Sequence, residues 1–386
     1  GVQMARVVVL GGGFGGIAAA TRLRERLGPD DEVVLVARDD RFAMGWTKIW
    51  DLVGIRPLEE GMRNLSLLAT RGIDVRLTEV TAIDAERRTV TTADGELEAD
   101  ALVVALGAVN HPDHTALLDG AFAHDLYSFA ALPAAKEALG AFRGGRLVVA
   151  VMGQPLKCPP APFEAILALD ELLRARGVRG DAELTIATPS PSALPVAGPE
   201  ASAVIAHRLA ERDIELRTQC VATAIDAPSG HVTFDDGSTV DATLVFGVPA
   251  AAVPPVIAAS ALAGKGGWIH PDPESLETTF DGVYAVGDCT TVPTATAALP
   301  KAGVFAAAEG EVAADNIAAS SGHGEPRRFD GHGHCYLEFP GREVAEVSGD
   351  FYARPAPRVA MSLPSAEAFQ RKLDFESARL TAWFGG

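Results

Sequence analysis

The chain has 386 residues, is 48% hydrophobic and carries a formal net charge of −18. That length corresponds to about two to three domains, and that apolar share is enough for packed cores. So acidic a surface excludes nucleic acid and anionic membrane as electrostatic partners.

Residues 5–10 (ARVVVL) read as an apolar strand. It runs into Gly11-Gly12-Gly13-Phe14-Gly15-Gly16 and then an alanine-rich helix over 17–27. Gly11, Gly13 and Gly16 satisfy G-x-G-x-x-G between a strand and a helix, which points to dinucleotide binding. The glycines allow a tight turn, close approach of backbone to a pyrophosphate, and close helix–strand packing. The next strand covers 32–36. An acid is expected at its end to bond ribose hydroxyls. The residues there are Ala37, Arg38, Asp39 and Asp40, so either Asp39 or backbone groups take that role. Strands follow at 74–77 and 79–83, then a hairpin around Asp94-Gly95. A central strand over 100–106 closes at Gly107-Ala108, where a glycine lets a ligand come close.

Residues 147–164 (LVVAVMGQPLKCPPAPFE) read as strand, turn and helix, with the helix over 162–176. Its apolar Phe163, Ile166, Leu167, Leu169, Leu172 and Leu173 recur near helical spacing. A nucleotide-binding turn would carry three glycines; this one has Gly153 and Cys158 instead. A cysteine ahead of a helix sits beside unpaired amides and the positive end of the helix dipole, which favours thiolate. Two readings stand for Cys158: a reactive sulfur, or a small buried residue in a tight turn. A strand at 183–187, a helix at 200–212 and a turn at Asp235-Asp236-Gly237 complete a second α/β unit.

The first domain is expected to resume with a strand over 242–247. The stretch 282–288 (GVYAVGD) ends in Gly287-Asp288, the aspartate placed for a ribityl hydroxyl or for a turn. Lys301 opens an alanine-rich helix over 304–320 and lies either beside a bound ring or in solvent. His332 and His334 read as exposed loop residues, without the partners of a closed zinc site. A terminal amphipathic helix over 365–384 carries Phe369, Leu373, Leu380 and Trp383 and reads as a docked element. The four cysteines, Cys158, Cys220, Cys289 and Cys335, form no CxxC pair, which argues against a metal site. No apolar run has the length of a membrane span, and no signal peptide is seen. A cytoplasmic protein is expected, with at most peripheral contact on the inner face of the cell membrane.

The fold class expected is α/β: two Rossmann-like dinucleotide-binding domains and a small C-terminal α+β segment. Residues 1–108 and 241–320 would form a discontinuous dinucleotide-binding domain. Residues 109–240 would form a second Rossmann-like domain with Cys158 in place of the second glycine motif. Residues 321–386 would carry a second cysteine and the terminal helix.

In order, GGGFGG, the strand ending at Leu106-Gly107-Ala108, GVYAVGD and PKAG resemble the FAD domain of glutathione-reductase-like flavoproteins. KCPPAPFE and GHGHCYLE narrow this. They are similar to the sulfide:quinone oxidoreductase and flavocytochrome c sulfide dehydrogenase branch of the pyridine nucleotide-disulfide oxidoreductases. The resemblance implies a redox pair at Cys158 and Cys335, with Glu164 moving protons or merely favouring the helix dipole. It implies FAD contacts at Gly11, Gly13, Gly16, Arg38, Val80, Gly107, Gly287, Asp288 and Lys301. No cysteine occurs near Phe42-Ala43-Met44, so FAD would be held non-covalently. The substrate implied is sulfide or a small thiol or persulfide, and the acceptor a quinone or an electron-carrier protein. A homodimer is compatible with this. Two other readings are an NAD(P)H-dependent FAD oxidoreductase, against which the missing second glycine motif argues, and a non-catalytic flavin sensor or partner subunit.

Overall fold

The computed structural model describes residues 5–386. The chain lays down β1 (Arg6–Leu10), α1 (Phe14–Arg26), β2 (Glu32–Ala37), β3 (Asp74–Leu77) and β4 (Ala101–Val104). It crosses to β5 (Ala123–Asp125), β6 (Gly145–Val151), α2 (Ala161–Ala175), β7 (Ala182–Ala187), α3 (Pro199–Glu211), β8 (Ile214–Arg217) and β9 (Leu244–Val248). It returns with β10 (Val283–Ala285) and α4 (Gly303–Ser320). It ends in β11 (His332–Phe339), β12 (Glu343–Asp350), β13 (Arg358–Met361) and α5 (Ala366–Phe384).

Two parallel sheets result, in the orders β10-β4-β1-β2-β3 and β5-β9-β6-β7-β8. The runs VVVL in β1 and LVVAV in β6 are buried throughout, as strands covered on both faces require. α1 and α4 pack against each other through glycines: a Cβ at Gly310 would lie 2.4 Å from the Gly15 carbonyl oxygen. The two sheets are the two dinucleotide-type units expected.

One boundary is corrected. The strand expected at 242–247 to restart the first domain is β9, and it pairs with β5 and β6 in the second sheet. Both sheets want an apolar strand at that point of the chain, so its own composition does not choose between them. Register with Leu147 to Val151 does, and the return to the first sheet comes after Val248.

The C-terminal strands form a three-stranded antiparallel sheet. Its Leu337, Phe339, Ala345 and Val347 join the core of the second unit. Leu380, Trp383 and Phe384 of α5 join the core of the first, with Trp383 edge-on to Phe14 and Phe42 at 5.9 and 5.5 Å. Among the described residues no helix is long and apolar enough to cross a membrane. His332 and His334 are exposed, as expected, but lie on β11 rather than on a loop.

Candidate active site

The loops that follow β1, β4, β6 and β10 leave the carboxyl ends of parallel strands, where α/β sheets place their ligands. They converge on one cavity of about 350 Å³. The first unit contributes Gly13, Gly107, Gly287, Asp288 and Lys301, the second Cys158 and Glu164, and β11 contributes Cys335. Two cysteines 177 positions apart (335 − 158) in sequence thus share one space.

Cys158 sits at φ +48°, a left-handed conformation costly for a residue with a Cβ. Three bonds hold it there. Its N–H donates to the Lys301 carbonyl at 2.9 Å, and its own carbonyl accepts from Ala161 N–H at 3.0 Å and Tyr127 O–H at 3.0 Å. The Cys158 side chain has open surface, but that surface faces the cavity. Desolvation by the surrounding protein, then the charge of Glu164, pushes its thiol up to about 12. Cys335 is pushed up to about 11 by the same two causes. Both thiols are free.

The expected thiolate at Cys158 is therefore corrected. The helix amides invoked for it are already engaged: Ala161 N–H bonds the Cys158 carbonyl, and Phe163 and Glu164 N–H both bond Pro160. Pro162 has no N–H to offer. The Ala161 amide and the Lys372 ammonium oppose the rise without outweighing it.

Glu164 is 9% exposed, and burial raises its carboxyl, with Lys372 opposing. Its Oε2 accepts Glu338 N–H at 2.9 Å and lies 3.7 Å from Lys372 Nζ. Lys372 is fully buried and donates to Glu338 Oε2 at 2.7 Å. Its ammonium lies over the rings of Trp46 and Trp50, at 4.7 and 5.1 Å. Trp50 Nε1 donates to the same Glu338 oxygen at 2.8 Å. Trp46 Nε1 donates to Glu376, which also pairs with Arg56. Lys372 and Glu338 were not singled out from the sequence. A signal was there: Ala368, Lys372, Glu376, Leu380 and Trp383 form one buried stripe of α5, and two charged residues stand inside it.

Lys301 fits neither expectation alone. It lines the cavity, yet its ammonium donates to the carbonyls of Asp288 and Thr290 at 2.8 and 2.7 Å and covers the Trp268 ring at 3.8 Å. Burial raises the Asp288 carboxyl, with Lys301 and Lys157 opposing. Gly11 and Gly16 build the first turn rather than line the cavity; a Cβ at either would meet backbone within 2 Å. Arg38 is exposed beyond β2 beside Asp39, and Val80 lies in the hairpin layer against another part of the core. Neither lines the cavity. Cys220 and Cys289 are buried packing residues.

The turn after β1 fits a dinucleotide. Gly13 has nothing within 4 Å on the side a Cβ would occupy, and neither has Gly107, at φ +67°. No side chain caps the amides at the start of α1, which leaves them for an anion. The pyridine nucleotide-disulphide oxidoreductase family matches residues 5–149 and 168–303.

The chain belongs to that family. It is a flavoprotein oxidoreductase, and FAD is its cofactor. The family match leaves out 150–167, which holds Cys158 and Glu164, and everything beyond 303, which holds Cys335. Those segments are covered by other similarities. The chain is 24% identical to mouse mitochondrial sulfide:quinone oxidoreductase over 364 residues, covering 90% of this chain and 79% of that protein. It is 30% identical to the sulfide-quinone reductase of Aquifex aeolicus, over 66% of this chain and 60% of that one. The crystal structure of the Aquifex aeolicus sulfide:quinone oxidoreductase superposes with a TM-score of 0.86 at 23% identity, covering 99% of this chain and 92% of that one.

Proposed function

We propose that this flavoprotein oxidises sulfide at a Cys158–Cys335 pair and passes the electrons to a quinone or a one-electron carrier. The observation that carries the reading is the cavity that holds Cys158, Cys335 and Glu164 beside the residues suited to FAD. Similarity to sulfide:quinone oxidoreductases, over 90% of the chain for the mouse protein and 66% for the Aquifex aeolicus one, supports sulfide as donor and quinone as acceptor. Trp46 and Phe375 line the cavity with ring centroids 6.4 Å apart and suit a quinone ring.

Gly13, Gly107 and Asp288 would hold FAD, with Lys301 fixing the loop that carries Asp288. When bound, FAD supplies a two-electron acceptor for the sulfur chemistry. Its attachment is non-covalent, because no cysteine lies near Phe42-Ala43-Met44.

In the oxidised enzyme, hydrosulfide attacks one sulfur of the Cys158–Cys335 disulfide. A sulfur–sulfur bond forms to the substrate, the inter-cysteine bond breaks, and its electron pair leaves on the other cysteine. Neither thiol favours its anion in this cavity, so the departing sulfur needs a proton as it leaves. Glu164 is suited to give it. Its carboxyl is raised by burial, and it is the acid whose charge both cysteines feel. Tyr127 and Lys301 hold the Cys158 backbone in place throughout.

The test is an anaerobic titration of the purified flavoprotein, with sulfide and NADH added separately. Sulfide is expected to bleach the visible flavin band in the wild type. In Cys158→Ala the rate is expected to fall by roughly a thousandfold or more, since a covalent step is lost. Bleaching by NADH alone would replace this reading with an NADH-dependent reductase.

A further inference from the structure

We propose that Glu164 and Glu338, held adjacent by Lys372, form a proton path between the cysteine cavity and solvent, with its outer end at Glu171. The proposal deepens the sulfide reading and rests on it.

The chemistry creates the need. Hydrosulfide plus the disulfide yields a persulfide on one cysteine and a thiolate on the other. The substrate proton stays on the persulfide, and the thiolate must gain one. A second hydrosulfide then attacks the outer sulfur of the persulfide, which releases a hydrodisulfide and frees that cysteine. The pair re-forms its disulfide as two electrons pass to the oxidant that FAD supplies, and the cysteine proton must leave again. The cavity is walled largely by apolar groups, and Glu164 is the carboxyl beside both sulfurs. A carrier that could not exchange with solvent would serve one transfer and then stop.

The geometry supplies an exit. Glu164 lines the cysteine cavity and also a separate narrow crevice, whose walls include Glu338, Trp50, Ala168, Ile55 and Glu171. Ile55 and Glu171 are exposed, so the crevice ends at the surface. Glu164 thus stands in the partition between the two spaces. Glu338 is the next acceptor outward: its side chain is 17% exposed, against 9% for Glu164. The two carboxylates are linked by one ammonium, at 3.7 Å from Glu164 and 2.7 Å from Glu338.

Charge explains why this cluster carries a proton rather than simply forming a salt bridge. One buried ammonium cannot fully offset two carboxylates in low dielectric, and burial raises the carboxyl of Glu164, the deeper of the two, against the opposing Lys372. The neighbouring Arg56 and Glu376 offset each other and leave that imbalance in place. Lys372 is fully buried and cannot exchange with water itself. It is a positioning residue that keeps the two carboxyls adjacent, while Glu164 and Glu338 carry the proton.

The experiment is stopped-flow bleaching of the flavin by sulfide, in H2O and D2O, with and without added imidazole as a small proton carrier. Glu338→Gln keeps acceptors for Lys372 and Trp50 but cannot ionise. It is expected to slow bleaching roughly tenfold or more, with a solvent isotope effect absent from the wild type. Imidazole is expected to restore the rate in proportion to its concentration, which repair of a merely structural defect would not do. Ala168→Phe, which plugs the crevice and leaves every carboxyl intact, is expected to slow bleaching in the same isotope-sensitive way. Wild-type rates in both variants, or a slow Glu338→Gln enzyme that imidazole leaves slow, would overturn the path alone. Failure of sulfide to bleach the wild type would instead sink the sulfide reading, and the path with it, before any variant is made.

Discussion

Cys158 occupies a left-handed backbone conformation, faces a cavity rather than bulk water, and lies under the field of Glu164. With its thiol pushed up to about 12, the reduced and flavin-free protein carries the thiol, not the thiolate, at neutral pH. Alkylation of Cys158 by iodoacetamide, followed by peptide mass spectrometry, is therefore expected to rise about tenfold per pH unit from pH 7 to pH 10. A plateau near pH 8 would mean that the amides of α2 stabilise the anion after all. Glu164→Gln removes the second-largest influence raising the thiol, so its labelling at a given pH should exceed that of the wild type. Burial, the largest influence, remains, so the profile should still climb across the range.

Between elements of the first unit, α1 and α4 approach closely. A Cβ at Gly310 would lie 2.4 Å from the Gly15 carbonyl oxygen and 3.2 Å from the Ala19 nitrogen, and both are backbone atoms that cannot swing aside. Alanine is favoured over glycine inside a helix by about 1 kcal/mol. Overpacking against rigid backbone costs about 1–3 kcal/mol or more, so the clash wins. Gly310→Ala is expected to lower the melting temperature and, by displacing the start of α1 from the cavity, to reduce the flavin retained after gel filtration. A variant with a raised melting temperature and full flavin content would show that the helices separate freely. The same contact accounts for what was legible in α1. G-x-G-x-x-G was read as serving a tight turn, close approach to a pyrophosphate and close packing; Gly13 lines the cavity, while Gly11 and Gly16 serve close packing of the backbone.

Across the whole molecule, Lys372 joins α5 to α2 through Glu164 and to β11 through Glu338. Lys372→Met leaves the buried Glu164 and the half-buried Glu338 without their cation, at a cost of about 3–5 kcal/mol near neutral pH. The sign of its pH dependence follows from linkage. Carboxyls whose folded-state pKa is raised bind more protons folded than unfolded, so stability is regained as pH falls through the folded value. Glu164 is already raised in the wild type, and loss of Lys372 removes an influence that lowers it. The melting-temperature deficit of Lys372→Met should therefore be larger at pH 8 than at pH 5, as read by calorimetry. An equal deficit at both would mean that the variant loses packing against Trp46 and Trp50 rather than charge balance.

Local pattern alone determined a good deal of this protein. The glycine turn, the apolar strands and the strand-turn-helix around Cys158 are short-range features, set by backbone sterics and by burial period within a few residues. They were enough for two parallel α/β units, for a dinucleotide turn and for singling out Cys158; Cys335 and Glu164 were named from the family resemblance of GHGHCYLE and KCPPAPFE. Tertiary structure decided what depends on partners distant in the chain. It placed β9 in the second sheet, because two apolar sheets compete equally for an apolar strand and only pairing register separates them. It denied Cys158 its thiolate, because the prolines and internal bonds of α2 use up the amides and the cavity keeps water away. It also brought Lys372 between Glu164 and Glu338, because a buried charge is tolerated only where opposite charges from other segments meet it.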